Sequence, residues 1–245
     1  MTTLLTGRRA IVTGASGGIG GAVARELARA GADVVLTYSG HREGADAAAR
    51  DISAMGRSAT VVQTDLRVVN AGRALIEQAA ADGPVDILVA NAGIGTQKGW
   101  DEVDDDLWDE TFAVNVTATW QMSRAALPGM IERGFGRILY VSSVAALNGG
   151  VIGPHYAASK AALHGLMHHL AARVAGSGVT VNTIAPALVS GTRMLPGGSN
   201  REPPMPIPVG RLGTPDDIAG MAIAMLINAY LTNKVITVDG GIYPA

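Results

Sequence analysis

Arg8-Arg9-Ala10-Ile11-Val12-Thr13-Gly14-Ala15-Ser16-Gly17-Gly18-Ile19-Gly20 is the stretch whose reading decides the fold. Residues 8–13 read as a short buried strand that runs directly into glycine. Residues 14–20 form a glycine-rich turn, and residues 21–30 follow with helical patterning. A strand, a glycine turn and a helix make the first unit of a doubly wound sheet. Glycines let the backbone approach a pyrophosphate, which then lies at the helix N-terminus. The spacing is Gly14, Gly18, Gly20 with Gly17 in addition, not the literal G-x-G-x-x-G, and no G-K-[ST] is present to make a triphosphate loop. A glycine turn without a ligand is the alternative reading.

Outward from this stretch the pattern repeats. Strands are expected at 34–38, 59–63, 86–90, 137–141, 180–184 and 234–238. Helices are expected at 42–55, 71–81, from the 101–110 region through Asn115 towards Arg124, then 155–175 and 216–228. Pro128 is expected to kink or end the helix before it. The uninterrupted alternation argues an α/β protein: a doubly wound Rossmann fold, with a parallel seven-stranded sheet and helices on both faces. No repeat, linker or second core is visible, so residues 1–245 read as one domain. Residues 187–215 hold most of the prolines and read as a mobile lid over the site. Within them Met194, Leu195, Pro203, Pro204, Met205, Pro206, Ile207 and Pro208 would make that lid apolar, unless they form a plain proline-rich surface loop.

Two further places carry chemistry. In His155-Tyr156-Ala157-Ala158-Ser159-Lys160, Tyr156 and Lys160 stand at i and i+4 on one helix face. A phenol is a poor acid or base at neutral pH, and a fixed ammonium one turn away would lower its pKa. Ser142-Ser143 falls at the carboxyl end of the fifth strand, where ligands bind in such sheets. Asn115 lies among Phe112, Val114, Val116 and Trp120 and reads, taken alone, as a structural polar group.

Composition narrows the classes. The chain is 48% hydrophobic and 16% charged with a net charge of -2, which suits a globular protein and does not suggest nucleic-acid or anionic-membrane binding. Cysteine is absent, excluding a disulfide framework and a thiolate zinc site, and compatible with a cytoplasmic protein. No signal-peptide core and no membrane-length apolar run is seen. Asp104, Asp105 and Asp106 read as a solvated helix N-terminus in preference to a metal or partner site. His164 and His168 share i,i+4 spacing but have no third ligand, so a surface or subunit contact is expected and no metal.

Taken together, the chain resembles the short-chain dehydrogenase/reductase family over essentially its whole length. The resemblance rests on residues 13–20, Asp65, Asn91-Ala92-Gly93, Asn115, Ser143, Tyr156 with Lys160, Asn182 before Pro186, and Val238-Asp239-Gly240-Gly241. The subgroup looks like the 3-oxoacyl-acyl-carrier-protein reductases and related carbonyl reductases. The resemblance implies a metal-independent transfer of hydride between a nicotinamide cofactor and a ketone or secondary alcohol. It makes Tyr156 the general acid/base, has Lys160 lower the Tyr156 pKa and hold the nicotinamide ribose, and has Ser143 bond the substrate oxygen. Asn115 would hold a relay water. Gly14, Ser16, Gly17, Gly18, Ile19, Tyr38, Ser39, Arg42, Asp65, Leu66, Asn91, Ala92, Gly93, Pro186, Val189 and Thr192 would line the cofactor, with Asp65 facing the adenine. A homotetramer is implied, with the Ala-rich faces of the Asn115 and Tyr156 helices as motive. The chain departs from the common pattern at Gly17, at Ala187, in the spacing before Thr192 and in a shorter segment before Lys234.

The expected cofactor is NADP(H) in preference to NAD(H). An acid at the end of strand two would bond a ribose 2′-hydroxyl and repel a 2′-phosphate. Here that strand ends Thr37-Tyr38-Ser39-Gly40 with no acid, and Ser39, His41 and Arg42 can meet a phosphate. An NAD-dependent alcohol dehydrogenase and a non-catalytic dinucleotide sensor remain as alternatives on the same fold.

Overall fold

The protein is described here from a computed structural model, which describes residues 4–195 and 206–243. The strands are β1 (Arg9–Val12), β2 (Asp33–Tyr38), β3 (Ala59–Gln63), β4 (Ile87–Ala90), β5 (Gly136–Val141), β6 (Val179–Pro186) and β7 (Val235–Val238). The α-helices are α1 (Gly18–Arg29), α2 (Arg42–Ala54), α3 (Ala71–Ala81), α4 (Asp105–Phe112), α5 (Ala118–Glu132), α6 (Ala145–Asn148), α7 (Pro154–Val174) and α8 (Pro215–Ile227). All strand pairs are parallel, in the order β3-β2-β1-β4-β5-β6-β7. The order reverses between β1 and β4, which opens a crevice at their carboxyl ends.

Alternation along the strands sorts the core into two layers. Val12, Leu36, Val89 and Leu139 face one side and pack against Val23 and Leu27 of α1 and Met225 of α8. Ile11, Val35, Leu88 and Ile138 face the other side and pack against Met122 and Met130 of α5 and Leu163 and Met167 of α7. The expected seven-stranded parallel sheet with helices on both faces is therefore present.

Local differences from the sequence expectation have local causes. Helix α1 starts at Gly18, not Gly21, because Gly17 serves as its N-cap. Asp104 caps α4 by accepting from Leu107 N at 2.8 Å, the bland role expected for that acidic run. The α4–α5 helix does not stop at Pro128. It continues to Glu132, since Pro128 and Arg124, the residue four earlier whose carbonyl the proline frees, both lie on the exposed face where water can serve that carbonyl. Between α4 and α5 the helix widens into a π-turn at Ala113–Thr117, and Asn115 sits within it. Of the lid residues, Pro203, Pro204 and Met205 lie outside the described residues; Leu195 and Ile207 are buried. No helix among the described residues is long and apolar enough to cross a membrane.

Candidate active site

The glycine turn is shaped by close backbone approaches. Gly14 and Gly18 hold φ of +65° and +52°, which disfavour any side chain. A Cβ at Gly20 would stand 2.4 Å from the Gly14 carbonyl oxygen and 2.5 Å from Asn91 Nδ2. No side chain caps α1, so the N–H groups of its first turn remain available to an anion such as a pyrophosphate. These observations fit a dinucleotide lying against Gly14, Gly17 and Gly18; Ser16 is buried within the turn and Ile19 packs against the core.

Thr13 and Asn91 tie this turn to β4. The Thr13 hydroxyl accepts from Asn91 N at 3.1 Å and Ala92 N at 3.0 Å. The Asn91 amide donates to Thr13 O at 2.8 Å and Gly14 O at 3.2 Å. Asn91 therefore spends its donors on shaping the turn. Thr13, the first residue of the 13–20 motif, has no role of its own in the sequence reading; its hydroxyl is what ties the turn to β4.

At the end of β2, Tyr38 is buried while Ser39 and Arg42 are exposed. His41 Nδ1 lies 3.2 Å from the Ser16 carbonyl, and a Cβ at Gly44 would overlap that same oxygen at 1.8 Å. The N-terminus of α2, whose first residue is Arg42, thus rests on the glycine turn through His41 and Gly44. The Arg42 guanidinium pairs with Asp46 at 3.3 Å and its side chain is 71% exposed. Asp65 follows β3; its carboxylate accepts from Arg67 N at 3.0 Å and pairs with the Arg67 guanidinium, while Leu66 beside it is buried. Across the crevice, Thr192 Cγ2 would touch a Cβ at Gly18 at 3.3 Å, and the Thr192 hydroxyl donates to Val189 O at 2.8 Å. Pro186 O accepts from Val144 N at 3.0 Å, and Val189 bridges to Gly213.

The four candidate catalytic residues converge at the carboxyl ends of β4 and β5. Asn115 is fixed by three bonds: it accepts from Ile94 N at 2.8 Å, and donates to Ile94 O at 2.9 Å and Ser159 Oγ at 2.9 Å. The Ser159 hydroxyl in turn donates to Tyr156 O at 2.8 Å. The Lys160 ammonium donates to Val141 O at 2.9 Å. A Cβ at Gly93 would stand 3.0 Å from Lys160 Nζ and 3.2 Å from Asn115 Oδ1, so Gly93 is where the loop, Asn115 and Lys160 meet. The Ser143 hydroxyl faces the Tyr156 phenol closely enough to lower its pKa, and accepts from Ala145 N at 3.2 Å.

The Tyr156 pKa differs from the sequence expectation. Burial pushes it up to about 12, partly offset by the Ser143 hydroxyl. Burial also pushes Lys160 down to about 8. Lys160 Nζ lies 5.6 Å from the Tyr156 ring centroid. The expected lowering of the phenol by the ammonium is not seen: burial sets the direction for both groups, and Ser143 alone opposes it at Tyr156.

Around the phenol the walls are apolar. Ala145, Ile152 and Met194 pack with Tyr156, and Gly95 approaches its ring so closely that a Cβ would stand 2.7 Å from Cδ2. Behind Lys160 lies a second polar chain missed in the sequence. Ser142 Oγ donates to Lys160 O at 2.9 Å, and His164 Nε2 reaches Ser142 Oγ at 2.9 Å. The serine doublet was the visible signal, but only one of its members had been given a role. His168 goes instead to Asn233 at 2.6 Å, so the two histidines serve different partners.

The comparisons with known proteins agree with this geometry. The family model described as short chain dehydrogenase matches residues 8–202. The chain is 38% identical to the 2-dehydro-3-deoxy-D-gluconate 5-dehydrogenase of Pseudoalteromonas atlantica, covering 97% of this chain and 96% of that protein. It is 36% identical to the 3-oxoacyl-[acyl-carrier-protein] reductase of Vibrio harveyi, covering 98% of each. Among solved structures, a 3-oxoacyl (acyl-carrier-protein) reductase from Agrobacterium tumefaciens C58 with NADP bound superposes with a TM-score of 0.88 at 35% identity, covering 97% of this chain and 95% of that one. A blue fluorescent protein from a metagenomic library, in complex with NADPH, superposes with a TM-score of 0.90 at 36% identity, covering 98% and 99%. With the glycine turn at the switch point and the Asn115, Ser143, Tyr156 and Lys160 cluster beside it, the chain belongs to the short-chain dehydrogenase/reductase family of nicotinamide-dependent oxidoreductases.

Proposed function

We propose that this single-domain enzyme reduces ketones with an apolar body to secondary alcohols, using NADPH. The observation that carries this reading is the setting of Tyr156: a phenol held protonated by burial, faced by Ser143 and walled by Ala145, Ile152 and Met194. The nicotinamide supplies the hydride, which goes to the carbonyl carbon. The Tyr156 hydroxyl donates its proton to the carbonyl oxygen, and the Ser143 hydroxyl donates a hydrogen bond to the same oxygen as charge develops. Lys160 uses one of its three donors on Val141 O, which leaves the others for ribose hydroxyls beside Gly93. Asn115 holds the 94–95 backbone and, through Ser159, the Tyr156 turn in place, and its π-turn is the place for a relay water.

The preference for NADP(H) is supported by the absence of an acid after β2 and by Arg42 as the first residue of α2. The test is kcat/KM with NADPH and NADH across ketones of graded size and polarity. Turnover of apolar ketones with NADPH is expected. Turnover confined to sugar acids overturns the substrate class, a preference for NADH overturns the cofactor, and tight cofactor binding with no turnover makes the protein a sensor. Arg42→Ala should lower the NADPH/NADH ratio by about three- to tenfold, the range for one exposed charge-assisted contact. An unchanged ratio removes Arg42 from the role.

We further propose a cytoplasmic homotetramer. The apolar Trp120 and Ile131 exposed on α5 support an interface there. Sedimentation at micromolar concentration should give the tetramer mass; a monomer refutes it.

A further inference from the structure

At the amino ends of β5 and β6, at the end of the sheet opposite to the catalytic crevice, lies a cavity of about 450 Å³. It is lined by Phe135, Arg137, Gly178, Thr180, Tyr230 and Thr232, among others. Its volume falls within the usual range for small-molecule sites, about 300–1,000 Å³. None of the residues that line it takes part in the chemistry above.

Two polar side chains turn hydrogen-bonding groups to this cavity that no described residue engages. Arg137 is only 6% exposed, yet it forms no ion pair with any carboxylate among the described residues. Its Nε donates to Leu226 O at 3.1 Å, and its Nη1 to Gly136 O at 2.8 Å and Gly178 O at 3.1 Å. A guanidinium has five N–H groups, and the two on Nη2 receive no acceptor from the described residues. Thr180 is 5% exposed and is the register partner of Arg137 across the parallel β5–β6 pair, so both side chains stand on the same face. Its hydroxyl forms no hydrogen bond with the described residues.

The surrounding charge is positive. Arg8 and Arg137 stack over the Phe135 ring, at 3.6 Å and 4.3 Å from its centroid. The nearest carboxylate, Asp86, is taken by Arg8 at 3.7 Å and Arg133 at 3.5 Å. Two arginines therefore share this one acid, and Arg137 has none among the described residues. Burial, with Arg8 adding to it, pushes the Arg137 pKa down, as expected of a cation whose counter-charge is not supplied by the chain.

We propose that the Arg137–Thr180 cavity is a binding site for a small oxyanion, a carboxylate or a phosphate, that accepts from Arg137 Nη2 and the Thr180 hydroxyl. The site is separate from the glycine turn and the Tyr156 pocket. It joins the start of β6 to the turn 228–232 after α8, so an occupant would tie those segments together.

The test is isothermal titration of the holoenzyme, saturated with NADPH so that the phosphate-binding turn is filled. Inorganic phosphate and acetate are titrated in separate arms, with chloride at matched ionic strength as the control. One-to-one binding of at least one of them with a Kd of about 1 mM or tighter is expected, a value that corresponds to only a few contacts. The arm that binds identifies the anion type. Thr180→Val, close in volume and without the hydroxyl, should weaken it about tenfold, and Arg137→Met should abolish it. Thr180→Val keeps the test decisive should Arg137→Met fail to fold. No binding of either anion in the wild type, or binding that Thr180→Val leaves unchanged, overturns the proposal.

Discussion

Tyr156→Phe should lower kcat for ketone reduction by about a thousandfold, within the range for loss of a general acid, while cofactor Kd stays within about twofold of wild type. The separation follows from where the hydroxyl sits. The ring packs against Ala145, Ile152 and Met194, and a phenylalanine fills the same space. What is lost is the proton donor that faces Ser143. A group that acts only at the chemical step lowers kcat and kcat/KM together. Because burial pushes the phenol up to about 12, the wild type keeps its proton donor across the neutral and mildly alkaline range. Loss of the Tyr156 proton should therefore not limit reduction until the pH is well above 9. Stopped-flow turnover and fluorescence titration of NADPH check both parts. A phenylalanine variant within about tenfold of wild-type activity would remove Tyr156 as the acid, since general acid catalysis is worth more than that.

The reach of the sequence was uneven for physical reasons. Strand β3 and helix α3 were legible to the residue, because hydrophobic period and breaker residues coincide at their ends. The glycine turn was legible because strand, glycines and helix occur in one order only for a few purposes. The π-turn at Asn115 was not, since it depends on contacts with Ile94 and Ser159, one of them 44 residues away. Pro128 does not end its helix, because a proline's cost depends on whether the carbonyl it frees can reach water, and exposure is a tertiary property. The same limit explains the Tyr156 pKa. Spacing shows that Lys160 is one turn away, but it does not show that both groups are buried, which is what sets the direction for each. Resemblance supplied the roles of Ser143 and Asn115; the supports of Asn91, Lys160 and Asn115, which are Thr13, Ser142 and Ser159, emerge from the hydrogen bonds.

Lys160→Met should destroy activity and stabilise the fold. Lys160 is 4% exposed, no carboxylate among the described residues pairs with it, and its one bond to them goes to a neutral carbonyl, Val141 O. Burial lowers its pKa from 10.5 to about 8. The folded state therefore binds this proton less tightly than the unfolded state does. Between the two values the unfolded chain holds more protons, so stability rises with pH through that window and levels off above it. At pH 7 the charged lysine costs the fold roughly 3 kcal/mol relative to its neutral form. A methionine of similar length removes the charge and fills the same channel, leaving Val141 O to lose one hydrogen bond worth about 1 kcal/mol. Denaturation at pH 7 should place the variant about 1–2 kcal/mol above wild type, with the gap closing as the pH passes 8 and approaches 10.5. Turnover should fall by about a thousandfold or more, and the KM for NADPH should rise, because the ammonium both neighbours the phenol and faces the ribose position beside Gly93. A variant less stable than wild type at pH 7, or a wild-type stability flat from pH 7 to 10, would mean that the ammonium is stabilised in the folded chain and is not stored there at a cost to the fold in the service of the reaction.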